Sequence, residues 1–112
     1  MTRRLIIAFT AAVALAACSK DPGVAKREHF DAGNRFMAQE KYQEAIVEFR
    51  NALQQDQRFG EARVQLSEAY AKAGNGLEAF REAIRAADLM PDDVAVQIKA
   101  GQFLLLAGQF ED

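Results

Sequence analysis

Covalent and acid–base catalysis need a nucleophilic side chain within reach of a base that a third group orients. Beyond Ala17 the sequence has one histidine (His29), one cysteine (Cys18), two serines (Ser19 and Ser67) and no threonine. Ser67 falls at a position where small residues recur, and His29 lies on the packing face of its segment, so neither is placed for catalysis. Asp92-Asp93 follows Pro91, but without further spaced oxygen ligands it fits the acidic start of a helix better than a metal site. Gly74-Asn75-Gly76 follows a helical segment rather than a strand and makes no phosphate-cradling loop. No catalytic residue, metal, cofactor or small-molecule substrate is expected.

The remaining cysteine has a different context. Arg3 and Arg4 precede an apolar run of 13 residues from Leu5 to Ala17, and Cys18 follows at once. A positive start, a short apolar segment and small residues before a cleavage point describe a secretory signal over residues 1–17. A membrane-spanning helix needs roughly 20 apolar residues, so the run is too short for one. Leu15-Ala16-Ala17-Cys18 resembles the lipobox of bacterial lipoproteins. The alternative is an ordinary secretory signal with an incidental cysteine. The resemblance implies that Cys18 is lipidated and becomes the first residue of the mature chain. More than one acyl chain makes such an anchor durable. Ser19 replaces the aspartate that in many Gram-negative bacteria retains a lipoprotein at the inner membrane. The expected location is therefore the cell envelope, at the outer membrane facing the periplasm.

Without residues 1–17 the chain has 12 Lys+Arg against 16 Asp+Glu, a formal charge of −4. A mildly acidic chain lacks the basic stripe of a nucleic-acid binder. Residues 18–25, broken by Pro22-Gly23, read as a flexible tether. From residue 26 onward Ala, Glu, Gln, Arg and Leu dominate, all good helix formers. Phe30, Gly33, Phe36 and Met37, then Ala45, Ile46, Phe49, Ala52 and Leu53, recur at helical spacing, and no stretch alternates as a strand would. The fold class is all-α.

Shifted by 34 residues, the sequence matches itself. Gly33 meets Ser67 and Gly101, all small, while Phe36 meets Tyr70 and Leu104, all bulky. Phe30 meets Val64 and Ile98, Ala45 meets Ala79, Ala52 meets Ala86, and Gln57 meets Pro91. Small residues let two antiparallel helices approach, and large neighbours such as Phe49 and Leu66 fill the volume beside the contact. A single hairpin cannot bury its apolar stripe, so stacked neighbours supply the core.

This pattern resembles the tetratricopeptide repeat over residues 26–112. The implied fold is a right-handed solenoid of stacked antiparallel helical hairpins. Its units would be 26–59, 60–93 and an incomplete 94–112, with turns near Gln39-Glu40-Lys41, Gly74-Asn75-Gly76 and Gly108-Gln109. Some residues depart from the family pattern. His29 and Arg63 stand where a large apolar residue is commoner, Glu40 replaces a glycine, Gln57 a proline, and Ala83 the aromatic found at Phe49. Such departures are expected to weaken individual contacts while leaving the register intact.

In this family the first helix of each unit lines a concave, peptide-binding groove. Residue by residue, that implies Arg27, Phe30, Asn34 and Met37 from the first unit and Glu61, Val64 and Glu68, with Ala71, from the second. Ile98 and Gln102, with Ala95 and Leu105, follow from the third. Phe30, Val64 and Ile98 fit partly buried packing positions equally well. Some members grip a terminal carboxylate here. Asn34 matches that clamp and Lys99 supplies one cation, but Phe30, Gln65 and Ala95 occupy its other places. The expected ligand is instead a segment with apolar anchors and basic residues facing Glu61 and Glu68.

The third unit lacks a second helix, and Phe103 to Leu106 would expose much apolar surface. The expectation is an N-terminal part of a longer protein, the alternative being a partner that supplies the helix. Lipobox and repeats together resemble envelope lipoproteins of the exosortase- and exopolysaccharide-associated type. They imply a membrane-anchored scaffold for other envelope proteins or peptides. The alternatives are the adaptor region of a longer envelope enzyme and a pilotin-like assembly lipoprotein of the outer membrane or pilus.

Overall fold

The computed structural model describes residues 20–108. The lipobox, the signal segment and the residues after Gly108 lie outside them. Five helices follow one another: α1 (Pro22–Ala38), α2 (Tyr42–Gln55), α3 (Gly60–Lys72), α4 (Gly76–Leu89) and α5 (Val94–Gly108). Helix α1 packs on α2 and α3 on α4 as two antiparallel hairpins; α2–α3 and α4–α5 contacts stack the units.

The first helix begins earlier than the sequence suggests. Residues 22–25, expected in a flexible tether, are its first turn. Asp21 is the N-cap, its Oδ1 accepting from the Gly23 amide at 2.7 Å, and Pro22 opens the helix. Proline breaks a helix interior, but at the first position its missing N–H would be unpaired anyway and its fixed φ suits the helix.

The two hairpin turns share one geometry, a period apart. Lys41 N–H donates to Phe36 O at 2.9 Å, and Asn75 N–H to Tyr70 O at 2.9 Å. The residue before each donor is left-handed, Glu40 at φ 59° and Gly74 at φ 84°. This is the Schellman ending, which satisfies the last free carbonyls of a helix. Glycine adopts it without steric cost, whereas a glutamate there is strained. Asn75 then caps α4 by accepting from the Glu78 amide, while Lys41 gives α2 no side-chain cap.

A continuous core joins Phe30, Ile46, Phe49, Leu53, Phe59 and Leu66, with alanines 45, 52, 62 and 69 where helices approach. Helix spacing is set differently in the two hairpins. A Cβ on Gly33 would lie 2.4 Å from Phe49 Cε1, so the phenyl ring occupies the place of a side chain. One repeat on, Ser67 replaces the glycine and Ala83 the phenylalanine. The Ser67 hydroxyl donates to Ala79 O at 2.7 Å. The serine–alanine pair is smaller than glycine with phenylalanine, and a small void beside it is bordered by Val64, Ser67, Ala83, Ala86 and Val96.

Candidate functional site

The first helices of the units, α1, α3 and α5, carry the residues expected to line a groove. Their burial falls along the chain. Phe30 is 9% exposed, Val64 is half-buried, and Ile98 is 56% exposed. Phe30 therefore belongs to the core rather than to a ligand surface. Its ring packs on Phe49 and Phe59 at centroid distances of 5.9 and 4.9 Å. Phe59, from the link between hairpins, closes over it. Asn34 and Met37 are half-buried, Met37 against the core, and Gln102 is exposed. Ala71, Ala95 and Leu105 are exposed.

Most charged residues of this face are already engaged. Arg27 stacks its guanidinium over Phe30 and Phe59, at 5.4 and 5.2 Å from the ring centroids, and lies 3.9 Å from Glu61. Glu68 pairs with Lys99 of the next unit. Burial pushes the Lys99 ammonium below its ordinary pKa of 10.5, and Glu68 supplies the compensating carboxylate. For Glu68 the expectation of a free carboxylate is corrected, because it pairs with Lys99, which is not a free clamp cation. Glu61 stays 60% exposed with Arg27 only at 3.9 Å, so its charge remains open to a ligand.

His29 and Arg63 replace apolar contacts with polar ones rather than simply losing them, His29 with a hydrogen bond and Arg63 with an ion pair. His29 Nδ1 lies 2.7 Å from Glu48 Oε2, and Arg63 Nη1 lies 2.8 Å from Glu82 Oε2. Both partners stand 19 residues further along. Arg63 also donates to Gln57 O through Nη2 at 2.8 Å. Gln97, one repeat later, reaches back in the same way to Ala87 O and Met90 O at 2.8 and 3.1 Å. The third residue of this register thus caps the preceding hairpin. A 34-residue self-comparison brings these residues into register; only the helix packing shows that they pair.

Asp93 accepts from the Val96 amide at 3.2 Å, the helix-start role expected for the Asp92-Asp93 pair. Among the described residues, no group of three or more His, Cys, Asp or Glu gathers as a metal site. No described helix is long and apolar enough to cross a membrane. At the far end, Leu77 and Phe80 of α4 and Phe103, Leu104 and Leu106 of α5 border an apolar groove of about 700 Å³. Leu104, Leu105 and Leu106 are exposed, as the sequence predicts, and Phe103 is half-buried.

A tetratricopeptide repeat model matches residues 36–79. The match runs from the end of α1 through α2 and α3 into the first turn of α4, so it covers the junction where one hairpin stacks on the next. The architecture is a stack of tetratricopeptide-type hairpins, all-helical among the described residues. Hairpins of this type generally act as non-catalytic scaffolds for protein binding. No curated protein matches the chain.

Proposed function

We propose that the chain is a lipid-anchored scaffold that holds other proteins or peptides at the bacterial cell envelope. The observation that carries this reading is the stack of tetratricopeptide-type hairpins placed directly after Leu15-Ala16-Ala17-Cys18. The α1/α3/α5 face offers exposed Ile98 and Gln102 beside half-buried Asn34, Met37 and Val64. With Glu68 paired to Lys99, apolar anchors and hydrogen-bonding groups there are joined by one exposed carboxylate, Glu61. Ser19 supports an outer-membrane, periplasm-facing site; the joining of lipobox and repeats supports a role in exopolysaccharide export or protein sorting.

Two measurements test the proposal. Radioactive fatty acid should label the chain, and Cys18→Ser should abolish the label; unchanged labelling of the variant rules out the anchor. Crosslinking through a photoreactive residue at Ile98 should trap a specific envelope protein. Capture of nothing beyond what an exposed control position such as Arg81 captures would remove the binding face.

A further inference from the structure

The opposite face, built from α2 and α4, carries chemistry that hairpin stacking does not require. Between these helices opens a polar basin of about 560 Å³. Arg63 and Tyr70 of α3 form its floor, Arg50 of α2 one wall, and Glu82 and Arg85 of α4 the other. The basin is shallow, open to solvent and mostly polar, the form of a surface site for an extended polar segment rather than an enclosed pocket.

The acidic groups of the basin are occupied. Glu82 is only 6% exposed, and both its oxygens are taken, Oε2 by Arg63 at 2.8 Å and Oε1 by Arg85 at 3.1 Å. Glu78 is held by Arg81 at 2.9 Å. Among the basic groups, Arg63 is taken up by Glu82 and Gln57 O, but Arg50 and Arg85 are not fully used. Arg50 is exposed and has no ion-pair partner among the described residues. Arg85 gives one nitrogen to Glu82 while its side chain stays 61% exposed. A guanidinium has five N–H donors, so both retain donors for a ligand. Beside Arg50, burial raises the Tyr70 phenol from its ordinary value of 10.0, and its hydroxyl remains a donor at neutral pH.

The repeat explains Arg63, Tyr70 and Glu82, which match His29, Phe36 and Glu48, but not the two exposed arginines. One period on, Arg50 becomes Ile84, and one period back Arg85 is Asn51. Guanidinium groups match carboxylates in a bidentate geometry. Gln54 and Gln57 at the rim add amides of the kind that pair with a peptide backbone. We propose that the α2/α4 basin binds an acidic peptide segment, with Arg50 and Arg85 gripping its carboxylates. The proposal is independent of lipidation and of the α1/α3/α5 face.

The test uses fluorescein-labelled octaglutamate and the full chain at low salt, read by fluorescence anisotropy. Saturable binding is expected. Arg50→Gln and Arg85→Gln should each weaken it about fivefold or more, the loss of a charge-assisted contact. Arg35→Gln, which removes the same charge from α1, should not. Equal weakening by Arg35→Gln, or full affinity in both basin variants, would overturn the proposal. So would displacement of the peptide by inorganic phosphate at matched ionic strength, which marks a small-anion site. In the unaltered chain, the side-chain amide resonances of Gln54 and Gln57 should shift on adding the peptide. Stationary signals would overturn the proposal without recourse to any variant.

Discussion

Arg63 on α3 and Glu82 on α4 meet 2.8 Å apart with 13% and 7% of their side chains exposed, the most buried ion pair among the described residues. His29 and Glu48 meet at 2.7 Å at the matching places one repeat earlier. Removing one member of a buried pair strands the other charge, which costs about 3–5 kcal/mol, whereas replacing both by apolar residues is often nearly neutral. Glu82→Ala should therefore destabilise the chain by about 3 kcal/mol in urea titrations. The double variant Arg63→Met/Glu82→Met should lose less than that single change. A double variant weaker than Glu82→Ala would show that the Arg63 bond to Gln57 O outweighs the ion pair.

Gly33 and Phe49 should be energetically coupled. Phe49 is fully buried, so Phe49→Ala should cost about 3–5 kcal/mol. Gly33→Ser alone should also destabilise, because its Cβ would overlap the phenyl ring. Together they recreate the Ser67/Ala83 pairing, with a serine positioned to reach Ala45 O. The double variant should be more stable than the sum of the singles by about 1–3 kcal/mol. Additive losses in denaturant unfolding would refute the coupling.

The first hairpin turn can be improved by copying the second. Glu40→Gly removes a left-handed glutamate at φ 59° and should stabilise by about 1 kcal/mol. Lys41→Asn supplies the cap that Asn75 gives α4 and should add roughly 1 kcal/mol. Thermal unfolding should show both gains; a lower midpoint for Glu40→Gly would mean the glutamate makes a compensating contact.

Asp56 should make stability depend on acid. The hydrogen bond from Lys26 at 2.6 Å, then that from the Arg58 amide, hold its pKa below the ordinary 3.8. Stability from a depressed carboxylate is fully present above the unfolded value and is lost as pH falls through the folded one. Asp56→Asn should thus weaken the chain at neutral pH and flatten its stability profile below about pH 3.8. Parallel acid titrations of the two proteins would reject this.

The sequence reveals most of the helical layout because the small residues at 33 and 67 mark where paired helices meet. Its errors have physical causes. Pro22 reads as a breaker unless the Asp21 cap before it is recognised. Phe30 reads equally as groove or core until Phe59 is seen folding over it, and no periodic signal places a link residue in the core. The pairings of Arg27 with Glu61 and Lys99 with Glu68 join separate units through long, flexible side chains, so helix register alone does not predict them. In the α2/α4 basin, Arg50 and Arg85 follow no period.

The exchange between Gly33/Phe49 and Ser67/Ala83 has an evolutionary consequence. The close helix contact is matched inside each hairpin, by Phe49 over Gly33 and by the Ser67 hydroxyl on Ala79 O, rather than between equivalent places in successive ones. A recombination that joins α1 to α4 would set Gly33 against Ala83 and leave a void. One that joins α3 to α2 would press Ser67 into Phe49. Duplication and shuffling of such arrays therefore conserve packing only when crossovers fall between hairpins, which makes the helix pair, rather than the single helix, the heritable building block.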